Sequence, residues 1–379
     1  MNYIKRSLDL SKDLKNKSVF LLGPRQTGKS SYVREQLPEH LLFNLLLPET
    51  YNRLNFRPQA LIEEVLDAKK IVVIDEIQKI PRLLDVVHSL IEDKKVRFLL
   101  TGSSARKLKS THLNLLGGRA RVRHLHPFLF RELGNQFKLA TALNNGLIPS
   151  HYFSDDSDAD LDSYIGVYLQ QEIANEGLTR NIPAFSRFLE VAALGHGEQI
   201  DFTKISIETQ VPRTTIHEYY QILQDTLIAH EVPSWRKSRK RRAVATAKYY
   251  FFDWGVVRKL QQLPTVLEGS PLFGRAFESF VFQELKAYCD LHGMDGPSYW
   301  RTSLKDEVDF IIGDEIAIEV KGKSQVNAAD AKGLLRLQEE RKLKTYFLVY
   351  NGNRELKFPE APGIRVLPWR QFLTELWDN

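Results

Sequence analysis

The chain has 379 residues, with 53 lysines and arginines against 47 aspartates and glutamates, a formal charge of +6. That length allows two or three domains, and 43% hydrophobic with 26% charged residues is the balance of an ordinary folded protein. No run of about 18 apolar residues is present, the start MNYIKRSLDLSKDLKNKS lacks an apolar signal core, and the lone Cys289 excludes an internal disulfide and a cysteine-based zinc site. The cysteine usage fits a reducing cytoplasm.

In the first third, SVFLLG (18–23), KIVVIDE (70–76) and VRFLLTGSS (96–104) read as short strands ending in polar residues. The helical patterns ALIEEVLDA and RLLDVVHSLIED separate the later ones, so an α/β unit with a parallel sheet is expected. Directly after the first strand stands GPRQTGKSS, made of Gly23, Pro24, Arg25, Gln26, Thr27, Gly28, Lys29, Ser30 and Ser31, opening a helical stretch. This fits G-x-x-x-x-G-K-[ST], in which glycines let backbone N–H groups curl round the phosphates of ATP at a helix N-terminus. Lys29 is expected to neutralise β/γ charge and Ser30 to hold Mg²⁺. Asp75, at the end of the second strand, is expected to hold the same ion, and Glu76 to polarise the attacking water. Ser103 ends the third strand at the same rim, where a hydroxyl can sense the γ-phosphate or merely serve a turn.

After a Gly-Gly break come Arg119, Arg121 and Arg123, alternate residues that share one face if the segment is a strand. Taken in order, LLGPRQTGKSS, IDEIQKIPRLLDVVHSLIE, FLLTGSSARKL and LLGGRARVRHLHPFLFREL resemble the prokaryotic AAA+ ATPases that carry a C-terminal nuclease-like domain, one of unknown function. The resemblance spans nearly the whole chain and is weakest in the middle. It implies a ring-forming core with Arg119 as an arginine finger acting in trans and Ser103 as first sensor. A homo-oligomeric ring, hexameric by expectation, follows.

Past the acidic stretch SDDSDADLD (154–162), the pattern is helical to about residue 228. FTKISIET, the turn QVP and a second helix with Ile216, Tyr219, Tyr220, Leu223 and Leu227 on its core face read as helix-turn-helix. Arg213, Thr214, Thr215 and His217 lie near the start of that second helix, where recognition residues stand. LIAHEV and AKYYFFD then predict two strands joined by the basic loop SWRKSRKRRAVAT, completing a winged helix. Its Arg239, Lys240, Arg241 and Arg242 suit DNA phosphates, although a winged helix also serves as packing between domains.

The last third opens with the helical GRAFESFVFQELKAYC, holding Glu278 at the edge of an apolar face. PSYWRT is a short strand, and EVDFII with EIAIEVK predicts a hairpin. A helix Glu, a strand Asp309, then Glu319-x-Lys321 on the next strand resembles the PD-(D/E)xK nuclease core, with Val308 where its pattern has proline. Strand period puts Glu319 and Lys321 on one face. The resemblance implies Mg²⁺ or Mn²⁺ on Asp309 and Glu319 with help from Glu278, and Lys321 positioning the nucleophile. The same charges also suit an ion-pair cluster on a fold kept as an inactive binding module.

The expected architecture is therefore α/β in three parts. Residues 1–150 form an AAA+ P-loop core with a parallel sheet, 151–265 a helical and winged-helix connector, and 266–379 a PD-(D/E)xK nuclease-like α/β domain. The expected activity is DNA-dependent ATP hydrolysis that remodels or translocates on DNA, branched DNA included, with metal-dependent cleavage. The alternative is an ATP-dependent sensor or switch with an inactive C-terminal DNA- or partner-binding module. No membrane partner is expected.

Overall fold

The structure is a computed structural model that describes residues 3–37, 39–65, 70–104, 106, 115–169, 179, 181–237 and 246–378. Its contacts divide the chain into one unit of residues 1–128 and 222–228, and another of 129–221 and 229–379.

The first unit holds five strands: β1 (Ser18–Leu22), β2 (His40–Asn44), β3 (Ile71–Asp75), β4 (Phe98–Gly102) and β5 (Ala120–His124). They lie in the order β2-β3-β4-β1-β5, and every pairing is parallel. Alternate residues Phe20, Val72, Ile74, Phe98 and Leu100 pack against Leu54, Leu61, Leu84 and Val87 from the helices Pro48–Phe56, Ala60–Val65 and Leu83–Lys94. The opposite-facing Val19, Leu21, Val73 and Leu99 are equally buried. Burial on both faces is why these strands read as continuous apolar runs rather than alternating ones. Because β1 sits between β4 and β5, the loops after β1, β3 and β4 come together at one sheet edge, where ligands bind in open parallel sheets.

In the second unit the helix Ile182–Leu194 precedes Phe202–Thr209, and a left-handed turn residue, Gln210 (φ 56°), leads into the helix Arg213–Asp225. Tyr219 and Tyr220 pack on Phe185 and Phe188, and Tyr220 also on Tyr249, as the core-face spacing predicts. The helix ends at Asp225, so Leu227, expected on that face, instead lies beyond it at φ 61°. Strands β6 (Ala229–Val232) and β7 (Lys248–Phe251) pair antiparallel as the hairpin predicts. Arg239, Lys240, Arg241 and Arg242 lie outside the described residues.

The C-terminal part runs from the 22-residue helix Pro271–His292 to β8 (Ser298–Arg301), β9 (Glu307–Ile312) and β10 (Ile316–Lys321). The helix Lys332–Glu340, β11 (Thr345–Tyr350), β12 (Ile364–Pro368) and the helix Trp369–Asp378 follow. The sheet order is β12-β11-β10-β9-β8, with β8, β9 and β10 antiparallel and β10, β11 and β12 parallel. Glu284, fully buried, accepts from the Phe130 N–H (2.7 Å) and the Trp377 indole (2.9 Å), which fastens the long helix to both flanking segments. The base of the β6–β7 hairpin is stitched to β8: Trp235 N–H donates to Tyr299 O (2.7 Å), and Tyr299 N–H donates to Pro233 O (3.0 Å).

Candidate functional sites

The phosphate loop leaves β1 under tight backbone constraint. A Cβ on Gly23 would lie 2.4 Å from the Leu125 carbonyl oxygen, so only glycine fits there. Gly28 takes φ 93°, a conformation that L side chains rarely adopt, just before the helix Lys29–Gln36. Thr27, fully buried, donates to the Pro24 carbonyl at 2.9 Å and closes the loop from inside. The Lys29 ammonium donates to the carbonyls of Gly23 (2.7 Å) and Pro24 (3.0 Å), folded back over the loop.

Opposite Lys29, the Ser30 hydroxyl donates to Asp75 Oδ2 at 3.1 Å, and Thr101 donates to Asp75 Oδ1. The hydroxyl and carboxylate expected to share Mg²⁺ are thus adjacent, an all-oxygen donor set that suits this ion. Glu76 follows with φ 61° and ψ 47°, left-handed values that cost a non-glycine residue about 1–3 kcal/mol. Its N–H donates to Thr101 Oγ1 (3.1 Å), and its Oε2 accepts from Gln78 (2.5 Å) and Ser103 (3.4 Å). The structure therefore gathers Lys29, Ser30, Asp75, Glu76 and Ser103 at one edge.

Two supports of this site escaped the sequence reading. Arg6, buried, donates to the Thr27 carbonyl (2.7 Å) and to those of His126 (2.6 Å) and Pro127 (3.0 Å), clamping the loop from behind. Asp13, also buried, accepts from both Arg121 and Arg123, and these guanidiniums hold its carboxyl below the usual range against the opposing effect of burial. Arg121 and Arg123 do share a face, but they are engaged there. Arg119 precedes the strand, is half-buried and pairs with an exposed Glu92.

In the C-terminal part, the hairpin register sets Phe310 opposite Ile318, which brings Asp309 beside the end of β10. Asp309 Oδ2 accepts from the Val320 N–H at 2.8 Å, and Lys321 donates to Glu319 Oε1 at 2.5 Å. Glu319 is only 7% exposed, and its Oε2 is buried without a hydrogen-bond partner among the described residues. A Cβ on Gly333 would lie 1.9 Å from the Glu307 carbonyl oxygen and 3.6 Å from Glu319 Oε2, so the Lys332–Glu340 helix closes against this spot through a glycine. Burial raises the carboxyls of Asp309 and Glu319 above the ordinary range, and the Asp309 charge raises Glu319 further. Burial, then the Asp309 charge, pushes Glu278 up to about 7.

The wing strand enters this cluster. Lys248, the first residue of β7, is 4% exposed and donates to Glu307 Oε1 at 2.5 Å. Its charge faces Glu278, Glu307 and Asp309, which together hold the ammonium above its usual value against burial. Two residues on, Tyr250 donates its hydroxyl to Glu278 Oε1 at 2.5 Å. Their signal in the sequence was a lone lysine two residues from a tyrosine in AKYYFFD, one face of a strand. A cleft of about 710 Å³, bordered by Arg275, Glu278, Lys321 and Lys323, opens beside the cluster.

An expected set of three metal-binding carboxylates meets a constraint here. Among the described residues, no group of three or more His, Cys, Asp or Glu side chains is arranged to hold a metal ion. Glu278 is bonded to Tyr250 instead. Asp309 and Glu319 alone, with the unpartnered Oε2, retain the acceptor chemistry that a divalent cation needs.

Of the DNA-recognition residues expected on the second helix, Arg213 and Thr214 are exposed, while His217 stacks on Phe202 with ring centroids 3.8 Å apart. Among the described residues, no helix is long and apolar enough to cross a membrane.

Comparison with known families matches residues 15–134 to an AAA domain. Residues 136–266 and 273–372 match two domains of unknown function, DUF8612 and DUF4143. Two uncharacterized proteins, from Mycobacterium bovis and Mycobacterium tuberculosis, are each 28% identical over 370 residues, covering 94% of this chain and 81% of theirs. The AAA and DUF4143 matches support an AAA-type ATPase, with ATP and Mg²⁺ as the implied ligands.

Proposed function

We propose that the chain couples ATP hydrolysis to remodelling of, or translocation on, DNA, in the three parts 1–150, 151–265 and 266–379. The observation that carries the ATPase reading is the convergence of Lys29, the Ser30–Asp75 pair and Glu76 on the phosphate loop. On nucleotide binding, Lys29 exchanges the Gly23 and Pro24 carbonyls for phosphate oxygens, which make stronger charge-assisted bonds. Ser30 and Asp75 would hold Mg²⁺, which when bound offsets phosphate charge. Glu76 takes a proton from water as the water oxygen bonds the γ-phosphorus. The bond from that phosphorus to the bridging oxygen breaks, leaving ADP and phosphate. Arg119, half-buried, paired with an exposed Glu92 and 3.5 Å from the Gly117 carbonyl, is the finger offered to a neighbouring subunit in a homo-oligomeric ring.

The DNA reading rests on the basic loop between β6 and β7 and on the exposed Arg213 and Thr214. For the C-terminal domain we infer a nuclease fold, supported by the helix, antiparallel hairpin and parallel β11 around Asp309, Glu319 and Lys321. Asp309 and Glu319 would hold Mg²⁺ or Mn²⁺, which supplies a water of lowered pKa. Lys321 fixes Glu319 and keeps its own charge at the mouth of the cleft. A specific observation favours a second reading, in which this domain is an inactive binding module of an ATP-driven switch. Lys248 and Tyr250 already engage the cluster.

ATP turnover measured with single-stranded, duplex, forked and four-way DNA tests the proposal. Lys29→Ala should abolish turnover, and Glu76→Gln should retain ATP while stopping hydrolysis. Turnover indifferent to every DNA would remove the DNA reading. Nicking that needs Mg²⁺ or Mn²⁺ and disappears in Asp309→Ala separates the nuclease from the inactive module.

A further inference from the structure

The stretch IDEIQKIP contains a residue that the ATPase reading leaves without a role. Gln78 lies in the one-turn helix Ile77–Lys79 directly after Glu76 and is 2% exposed. Its amide nitrogen stands between two acceptors, Glu76 Oε2 at 2.5 Å and Ser103 Oγ at 3.1 Å. Its carbonyl oxygen is buried with no hydrogen-bond partner among the described residues. A buried amide oxygen left unpaired is destabilising. The backbone makes room for this arrangement: a Cβ on Gly102 would lie 2.7 Å from that oxygen. Glu76 itself is held in the left-handed region, which persists only where the surroundings over-determine it. A strained carboxylate, an amide whose oxygen has no partner among the described residues and a closely approaching glycine thus converge on one bond, from Gln78 to Glu76.

We propose that Gln78 is a positioning residue for ATP hydrolysis, fixing one oxygen of Glu76 so that the other faces the attacking water. A glutamate on a strained turn has several rotamers, and only one aims its free oxygen at the reacting water. The amide selects that rotamer before nucleotide arrives, and Ser103 ties the amide in turn. Asparagine is one methylene too short to span the same gap, and glutamate has the length but brings a second carboxyl.

This inference rests on the reading of Glu76 as the base, and the experiment separates the two. Steady-state ATP turnover is measured for the full chain, wild type, Glu76→Gln, Gln78→Ala and Gln78→Glu, from pH 5.5 to 9. Gln78→Ala should lower kcat about 10- to 100-fold, the cost of a misaimed reacting group, with KM for ATP changed less than about threefold. Gln78→Glu keeps the length of the side chain but places a carboxylate, which cannot donate, against Glu76, so its kcat should fall by a similar factor with KM again little changed. A residue that only packs would keep its kcat in this size-matched variant. Wild-type turnover in Glu76→Gln would sink the base assignment itself. An inactive Glu76→Gln beside Gln78 variants with wild-type kcat would overturn this inference alone, as would a faster Gln78→Ala. If Gln78→Ala fails to fold, the size-matched Gln78→Glu decides, and a wild-type kcat in that variant overturns the proposal.

Discussion

Lys248→Met removes a charge and keeps most of the aliphatic stem. The ammonium it deletes is 4% exposed, bonded to Glu307 at 2.5 Å and 5.1 Å above the Tyr299 ring. Deleting one partner of a fully buried ion pair typically costs about 3–5 kcal/mol; Glu307 is half-buried and keeps Arg301 at 3.0 Å, so the uncompensated loss falls on the other carboxylates. Here Glu278 and Asp309 also lose an attractive charge, and burial already holds both carboxyls above the ordinary range. Their folded-state pKa values rise further in the variant, while the unfolded values stay put. The folded variant then binds more protons than the unfolded chain, so its stability falls as pH rises through that window and returns as pH falls. The deficit should be about 3–5 kcal/mol at pH 8 and shrink towards pH 5, by about 1.4 kcal/mol for each unit that a carboxyl pKa is raised. Urea unfolding followed by tryptophan fluorescence is the assay, since all five tryptophans (235, 254, 300, 369 and 377) belong to the unit of residues 129–221 and 229–379. A deficit under about 1 kcal/mol at pH 8, or one equal at pH 5 and pH 8, would refute the reasoning.

Arg119→Ala should lower kcat for ATP by about 10³-fold or more while nucleotide binding persists, and mixing it with Lys29→Ala subunits should restore part of the turnover. No recovery on mixing, with turnover normal in a monomer, would remove the trans finger. Alanine at Arg239, Lys240, Arg241 and Arg242 should weaken DNA binding evenly across sequences and flatten its dependence on salt. An unchanged salt slope would assign the winged helix to packing.

The phosphate site was legible because its chemistry is local. Gly23, Gly28, Lys29 and Ser30 occupy eight consecutive positions, and Asp75 and Glu76 close an apolar run that any buried parallel strand shows. What supports the site was not legible, because it arrives from far along the chain. Arg6 reaches carbonyls 21, 120 and 121 residues away, and Asp13 meets arginines 108 and 110 residues away. Strand β2 stayed hidden for another reason: HLLFN is half-exposed, with Leu42 at 49%, so it shows neither an apolar run nor alternation against a core. At the other end of the chain, spacing alone placed Asp309, Glu319 and Lys321 together, since two residues on a strand share a face and a tight hairpin supplies the third. The resemblance to the nuclease core, not spacing, set Glu278 among the metal ligands, and only the fold puts Tyr250 on that carboxylate.

The two sites hold their charges by different physics. At the phosphate loop, Lys29 donates to two carbonyls and Asp75 accepts from two hydroxyls, neutral groups that a nucleotide and its ion can replace. In the C-terminal cluster, Glu278, Glu307, Asp309 and Glu319 meet Lys248, Lys321 and Arg301, so incoming ligands must compete with full charges. One of those charges, Lys248, belongs to the wing strand, and Tyr250 of the same strand holds Glu278. Before the chain reaches Lys248, the Thr246 carbonyl accepts from the Tyr299 hydroxyl and the Ala247 carbonyl from the Ile200 N–H at 3.1 Å, so the strand is already held where it enters the cluster. The wing strand therefore bears on the C-terminal site through the Lys248 charge and the Tyr250 hydrogen bond as well as by packing.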